Sequence, residues 1–181
     1  MDLSLSGNYF ELFGLPQSFT VDLPRLDDAF RALQSRLHPD RFANTSQADR
    51  IRSLQASTYV NAAYATLRDP LNRARHLLEL AGVDFSTDCA TAMPREFLVE
   101  QIQWREAMER AHRGADESAL CGLEHRLHQE IAAHQTELSR MLEQARDFEG
   151  AANCLRKLGF YDSLRRDLRE MIEAVVDTRV V

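Results

Sequence analysis

Apolar residues along this chain recur at helical spacing, and the strict alternation that predicts strands is nearly absent. After an aromatic turn at 9–13 (YFELF), a helix is predicted to begin near Leu23, capped by Asp22 or a neighbour. Its apolar stripe, at intervals of four, three and four, consists of Leu26, Phe30, Leu33 and Leu37. Pro39 ends this helix, because proline has no N–H to continue the backbone ladder.

Two further helices are predicted in this half of the chain. Ser46, with Asp49 three residues later, forms an Asp variant of the capping box and predicts a helix that runs to Asp69–Pro70. The residues expected to be buried on this helix are Leu54, Val60, Ala63, Tyr64 and Leu67. The segment PLNRARHLLELAG then predicts a short helix with Gly82 as its C-terminal cap.

The second half of the chain predicts a separate helical domain. Periodicity lapses over VDFSTDCATAM, at 83–93, which is typical of a linker. Three amphipathic helices at about 95–112, 116–146 and 149–177 then predict an antiparallel three-helix bundle. The middle helix carries an apolar stripe that runs from Leu120 to Ala145 and includes His134. The expected fold is therefore all-α, with an N-terminal domain at 1–82 and a bundle at 94–181.

Composition narrows the class of protein. A hydrophobic content of 44% is that of an ordinary globular protein, and a formal net charge of −6 argues against a nucleic-acid partner. No stretch approaches the roughly 18 apolar residues of a membrane span. The three cysteines are far apart and form no C-x-x-C pair, which favours a reducing compartment. Without signal-peptide features at the N-terminus, we expect a cytoplasmic protein with protein partners.

The turn after the first long helix places an imidazole, a proline and a carboxylate side by side, as His38-Pro39-Asp40. A stiff, proline-held turn presents its side chains at little ordering cost, and a presented carboxylate suits the fork of an arginine. Three arginines around the turn could steer an acidic partner: Arg31, Arg36 and Arg41. The alternative is a polar turn that merely ends the helix, beside solvated arginines.

These motifs together resemble a J-domain. The resemblance covers most of residues 8–76 and rests on YFELFGL, the HPD tripeptide between two phased helices, and VNAAYATLRDP at 60–70. It implies that the turn binds a DnaK-type chaperone and stimulates ATP hydrolysis in that partner. The chain itself has no G-x-x-x-x-G-K-[ST] phosphate loop, so we do not expect it to be an enzyme.

The first helix of the bundle carries two apolar faces. Phe97, Trp104, Met108 and Ala111 fall within about 60° of one another and form an adequate core face. A second cluster points roughly 100° to 200° away from that face and consists of Leu98, Val99 and Ile102. Exposed apolar clusters often mark partner sites, although this one could instead pack against the N-terminal domain or the linker.

The combination of a J-domain with a bundle that contains REFLVEQIQWRE and LRKLGFYDSL resembles the HscB family of iron–sulfur co-chaperones. The resemblance spans nearly the whole chain and implies two partners, the cluster scaffold IscU and the specialised chaperone HscA. It implies a scaffold-binding set formed by Leu98, Val99, Ile102, Gln103, Glu106, Arg110 and Phe160. Gln103 and Arg110 stand where the best-known relatives carry acids, so the partner's charge preference is expected to differ.

Histidine-based metal sites are weakly supported. Glu109 and His112 have ligand spacing, but the di-metal bundles that use such a pair need a second one, and the chain has none. His125 and His128 lack matching thiolates or carboxylates, and we expect His134 to be a hydrogen-bonded core histidine. No cofactor is expected. A metal-binding helical bundle and a J-domain adaptor for another client stay open as alternatives.

Overall fold

The computed structural model describes residues 7–37, 46–83 and 93–180, and every regular element in these ranges is helical. The predicted all-α fold is confirmed. The chain divides into two compact units, Met1–Val83 and Asp84–Val181, and the division falls in the region predicted to be a linker. Within the described ranges, no helix has both the length and the apolar character needed to cross a membrane.

The N-terminal unit contains a short turn of helix and three longer helices, each begun by the residue types that favour helix starts. They are α1 (Tyr9–Leu12), α2 (Leu23–Leu37), α3 (Gln47–Arg68) and α4 (Pro70–Leu80). The predicted caps are confirmed: Asp22 accepts a hydrogen bond from the N–H of Arg25 at 3.0 Å, and Ser46 accepts one from the N–H of Asp49 at 3.2 Å. Gly82 has a φ of +77°, which allows α4 to end sharply.

The core of this unit lies between α1, α2 and α3. Its core stripe on α3 runs at intervals of three and four: Ser53, Ala56, Val60, Ala63 and Leu67. The prediction that Leu54 is buried is wrong, because its side chain is 67% exposed. Leu54 stands one residue, or about 100°, from Ser53 on this stripe and so points off the core face. Tyr64 is half-buried rather than fully buried.

A buried arginine fixes the corner between α3 and α4. The guanidinium of Arg73 donates hydrogen bonds to the backbone carbonyls of Leu67 at 2.7 Å, Phe19 at 2.6 Å and Arg68 at 3.2 Å. Burial lowers the pKa of Arg73, but three carbonyl acceptors satisfy the charged group where it lies. The chain before α2 is thereby tied to the end of α3.

A buried histidine holds α1 in place. The ring of His76 stacks on Tyr9 with centroids 4.3 Å apart, and its Nε2 accepts a hydrogen bond from the N–H of Tyr9 at 3.3 Å. Its Nδ1 lies 3.5 Å from a carboxylate oxygen of Glu79. Only a ring that is unprotonated at Nε2 can accept from a backbone N–H, so this contact requires neutral His76.

The C-terminal unit contains three long helices, α5 (Arg95–Arg113), α6 (Glu117–Arg140) and α7 (Phe148–Val180), with a π-helix at Met141–Ala145 after α6. The sequence predicted one regular α-helix to residue 146, and this prediction is wrong because the π-helix replaces the last turns of that helix. A π turn adds one residue per turn and rotates later residues off the stripe. Ala145 is accordingly exposed, and Arg146 takes a φ of +50° before α7 begins.

We expect the protein to lose stability as the pH falls below about 6.5. Burial lowers the pKa of His76 more than the attraction of Glu79 raises it, so the unfolded chain binds more protons in this range. The contribution of His76 is complete above the pKa of an unfolded histidine and is lost as the pH falls towards the lower folded-state pKa. Urea denaturation at about pH 7.5 and about pH 5.5 measures the effect.

Two variants isolate this residue. His76→Gln should show a smaller loss of unfolding free energy between the two pH values than the wild type. His125→Gln changes an exposed histidine and should keep the wild-type loss. An identical pH dependence in all three proteins would contradict the assignment.

Candidate partner-binding sites

The first candidate site is the turn predicted to bind a chaperone, and its central residues lie outside the described part of the chain. They are His38, Pro39, Asp40 and Arg41. The structure does describe both ends of the hairpin that carries the turn: α2 ends at the buried Leu37, and α3 begins after the cap Ser46. The structure therefore describes the residues at which the two flanking helices end and begin.

A buried hydroxyl fastens the end of α2 to α3. The Oγ of Ser53 donates a hydrogen bond to the carbonyl oxygen of Leu37 at 3.0 Å, and both residues are buried. The last carbonyls of a helix have no partner inside that helix, so a donor from across the hairpin satisfies one of them. The contact fixes the residue that immediately precedes His38. Sequence reasoning missed Ser53, although a serine on an apolar stripe signals a buried polar group that needs a partner.

A second set of contacts joins the middle of the hairpin. The rings of Phe30 and Tyr64 stack with centroids 3.9 Å apart, and the hydroxyl of Tyr64 donates to the carboxylate of Asp27 at 2.8 Å. The guanidinium of Arg68 donates to the same Tyr64 oxygen. Aromatic stacking and a charge-assisted hydrogen bond at one point resist sliding of α2 along α3.

The predicted positive surface on α2 is partly neutralised. Arg31 and Arg36 are both exposed, as expected. However, Arg31 forms an ion pair with Asp28 at 2.5 Å. This hydrogen-bonded pair raises the pKa of Arg31. Exposed pairs of this kind contribute little to stability, but a nearby carboxylate reduces the field that a partner would feel.

The second candidate site lies on α5, whose two faces differ as predicted. Phe97, Trp104, Met108 and Ala111 are buried. The other face exposes the apolar side chains of Leu98, Val99 and Ile102 by 45%, 49% and 58%. We call these three residues the apolar patch. Three exposed aliphatic side chains within one and a half turns form a contiguous surface of the kind that binds partners.

A hydrogen bond from α7 to the inner face of α5 fixes the rotation of α5 about its axis. The hydroxyl of Tyr161 on α7 donates to the carboxylate of Glu100 at 2.6 Å, and the indole N–H of Trp104 donates to the same oxygen at 3.4 Å. Burial, with the hydrogen bond to Glu100, raises the pKa of Tyr161, so the hydroxyl keeps its proton. Because these groups point inward, the apolar patch must point outward.

The remaining residues of the predicted scaffold-binding set lie on two helices, α5 and α7. Gln103, Glu106 and Arg110 are exposed on α5. Phe160 on α7 is half-buried and packs edge-on against Phe97, with centroids 5.5 Å apart. The ammonium of Lys157, one turn earlier on α7, lies 5.3 Å from the centre of the Phe97 ring. Phe97 on α5 thus contacts both Lys157 and Phe160 on α7.

Metal-ligating and nucleophilic groups do not cluster in the described ranges. No group of three His, Cys, Asp or Glu residues there could hold a metal ion. The Nδ1–H of His134 donates to the carbonyl of Glu130 at 3.0 Å, so the predicted hydrogen bond is confirmed, but the side chain is half-buried rather than in the core. Burial raises the pKa of the Cys154 thiol to about 11, which keeps it protonated and unreactive at neutral pH.

The fold and these surfaces define a class: a two-domain helical protein with an N-terminal J-domain and a C-terminal helical bundle. Solved structures share this arrangement. HscB from Vibrio cholerae is 37% identical with a TM-score of 0.84, over 93% of this chain and 99% of that one. The human co-chaperone HscB is 31% identical with a TM-score of 0.85, over 93% of this chain and 83% of that one.

Sequence comparisons give the same answer. A co-chaperone HscB homolog of an Azoarcus species is 41% identical over 175 residues, which cover 97% of this chain and 99% of the relative. Residues 93–169 match the family model described as the HSCB C-terminal oligomerisation domain. The chain belongs to the HscB family of co-chaperones.

We expect Ser53→Ala to lower the free energy of unfolding by about 1–2 kcal/mol, because it leaves the buried carbonyl of Leu37 without this donor. Urea denaturation provides the measurement. Thr58→Ala is the matched control, since the exposed Thr58 hydroxyl donates to the carbonyl of Leu54 within its own helix and, among the described residues, to no other element. The control should change stability by less than about 0.5 kcal/mol. An equal loss of unfolding free energy in the two variants would show that the hydrogen bond between Ser53 and Leu37 does not stabilise the hairpin.

Proposed function

We propose that this protein binds the iron–sulfur cluster scaffold IscU, delivers it to the DnaK-type chaperone HscA and stimulates the ATPase of that chaperone. The observation that carries the proposal is the apolar patch of Leu98, Val99 and Ile102, exposed on a helix whose opposite face is buried. Membership of the HscB co-chaperone family supports a role with a chaperone and a client. The reducing compartment indicated by the cysteines supports action in the bacterial cytoplasm.

At the chaperone end, the proposed contact is the turn His38-Pro39-Asp40, with Arg31, Arg36 and Arg41 beside it. The carboxylate of Asp40 would pair with a basic group of the chaperone. This contact raises the rate of ATP hydrolysis only if it favours the hydrolysis-competent conformation over the other, through a difference in affinity. The Ser53–Leu37 hydrogen bond supports this role, because a fixed helix end reduces the entropy lost on docking.

At the scaffold end, the proposed contact is the apolar patch with Gln103, Glu106, Arg110 and Phe160. Covering the exposed half of one aliphatic side chain contributes roughly 1 kcal/mol. Three such side chains on a rigid helix lose little conformational entropy on binding, since the hydrogen bond from Tyr161 to Glu100 already holds that helix against α7. Polar residues around the patch would then favour one partner over others through charge.

A chain with both contacts raises the effective concentration of the scaffold near the chaperone. The scaffold need not bind the chaperone tightly by itself, because the co-chaperone holds it nearby while ATP is hydrolysed. This account assigns no chemical step to the chain, and its output is a change in the partner's rate of hydrolysis.

Asp40→Asn should abolish stimulation of the HscA ATPase while leaving the fold and scaffold binding intact. The substitution removes one charge and keeps the shape of the side chain, so only the proposed charged contact is lost. Steady-state phosphate release, with and without the co-chaperone, measures the effect. Asp167→Asn makes the same chemical change at an exposed site on α7 and should stimulate like the wild type. Full stimulation by Asp40→Asn would refute the proposed role of the turn.

Leu98→Ala/Ile102→Ala should weaken scaffold binding by about tenfold or more, because two exposed aliphatic contacts are removed. Isothermal titration of purified IscU into each variant gives the dissociation constant. Val176→Ala removes an exposed aliphatic side chain from α7 and serves as the control, with wild-type affinity expected. Unchanged binding by the double variant would remove the patch from the account. Stimulation of HscA without any binding of IscU by the wild type would favour a co-chaperone for another client.

A further inference from the structure

A groove runs between α5 and α6 beside the apolar patch. It consists of two adjoining cavities of about 490 Å³ and 290 Å³, which share Ala107, Leu123 and Arg126 as lining residues. Much of the larger cavity is lined by small side chains and a glycine, which allow another backbone to approach closely: Ala107, Ala111, Ala119 and Gly122.

The groove is continuous with the proposed scaffold-binding surface. Gln103 lines the smaller cavity and Arg110 lines the larger one, and both belong to the predicted scaffold-binding set. At about 100° per residue, Val99 of the apolar patch falls within about 40° of both. From Val99 to Arg110 the helix rises about 17 Å. A partner that covers the patch therefore meets the edge of the groove.

Two guanidinium groups in the larger cavity have no anionic partner in the part of the chain that the structure describes. Within the described ranges, Arg110 forms no ion pair and no side-chain hydrogen bond. Arg126 lies with its guanidinium carbon 5.1 Å from the centre of the Trp104 ring, and no carboxylate in those ranges pairs with it. The ring contact holds Arg126 at the groove and leaves its N–H groups available.

Two carboxylates that line the groove, those of Asp116 and Glu100, already accept hydrogen bonds from groups within the protein. Asp116 caps α6 by accepting a hydrogen bond from the N–H of Ala119 at 2.9 Å. Glu100 accepts the hydrogen bonds of Tyr161 and Trp104. Glu130 lines only the smaller cavity. Among the described residues, the larger cavity therefore presents two arginines without an ion-pair partner, beside Asp116, whose carboxylate already caps α6.

We propose that an acidic segment of IscU lies in this groove and places a carboxylate against Arg110 and Arg126. This inference rests on the proposed function and adds Arg126, on a different helix, to the scaffold-binding surface. Arginine binds carboxylates with paired N–H donors, so two arginines around one cavity select an acidic partner over a neutral or basic one. The apolar patch supplies affinity, and the groove supplies charge selectivity.

The test measures the affinity of IscU from the same organism for Arg110→Glu, Arg126→Glu and Arg166→Glu by isothermal titration. Arg166→Glu is the control: it makes the same change in net charge, but Arg166 is exposed on α7 and does not line the groove. We expect the two groove variants each to weaken binding by about tenfold, and the control by less than about twofold. Raising the salt concentration should weaken wild-type binding more than binding by Arg126→Glu. Circular dichroism establishes that each variant is folded.

Several outcomes would overturn the inference and leave the proposed function standing. Wild-type affinity in Arg126→Glu, with binding still lost in Leu98→Ala/Ile102→Ala, would limit the surface to the patch. An equal loss in Arg166→Glu would reduce the effect to net charge. A changed oligomeric state of Arg126→Glu, with unaltered scaffold affinity, would assign the groove to a second copy of this chain. Failure of the wild type to bind IscU at all would instead refute the proposed function.

Discussion

The rotation of α5 about its own axis is the constraint on which the rest of the C-terminal unit depends. The carboxylate of Glu100 receives hydrogen bonds from Tyr161 and Trp104, and Phe97 packs against two aromatic rings of α7. A helix held in this way has one orientation, so the same contacts that build the core turn Leu98 and its neighbours outward. The stability of the bundle and the exposure of the apolar patch are consequences of a single packing arrangement.

The N-terminal unit follows a similar principle with different chemistry. A hydroxyl from α3 satisfies the last carbonyl of α2, the Phe30–Tyr64 stack fixes the middle of the hairpin, and Arg73 ties its far end to the preceding chain. Each contact crosses between elements that are distant in sequence. The hairpin is therefore a rigid support, and the segment that it carries begins and ends at fixed points.

Periodicity and capping rules predicted every α-helix in the described ranges, because a stripe at intervals of three and four and a cap such as Ser46 are local signals. The same signals found the outward position of Leu98. They failed for Leu54, which stands one residue off the core stripe, and for Ala145, where a π turn shifts the register. Arg126 was missed because its significance depends on a cavity formed with another helix, and no local pattern records which side chains meet across a groove.

The ammonium of Lys157 over the Phe97 ring has a practical consequence. It is the only lysine in the chain, and it lies one turn before Phe160 on α7. Apart from an amino terminus, an amine-directed dye or cross-linker thus has a single side chain to attack. Covalent labelling with such a reagent would place a probe one turn from Phe160 without any introduced cysteine.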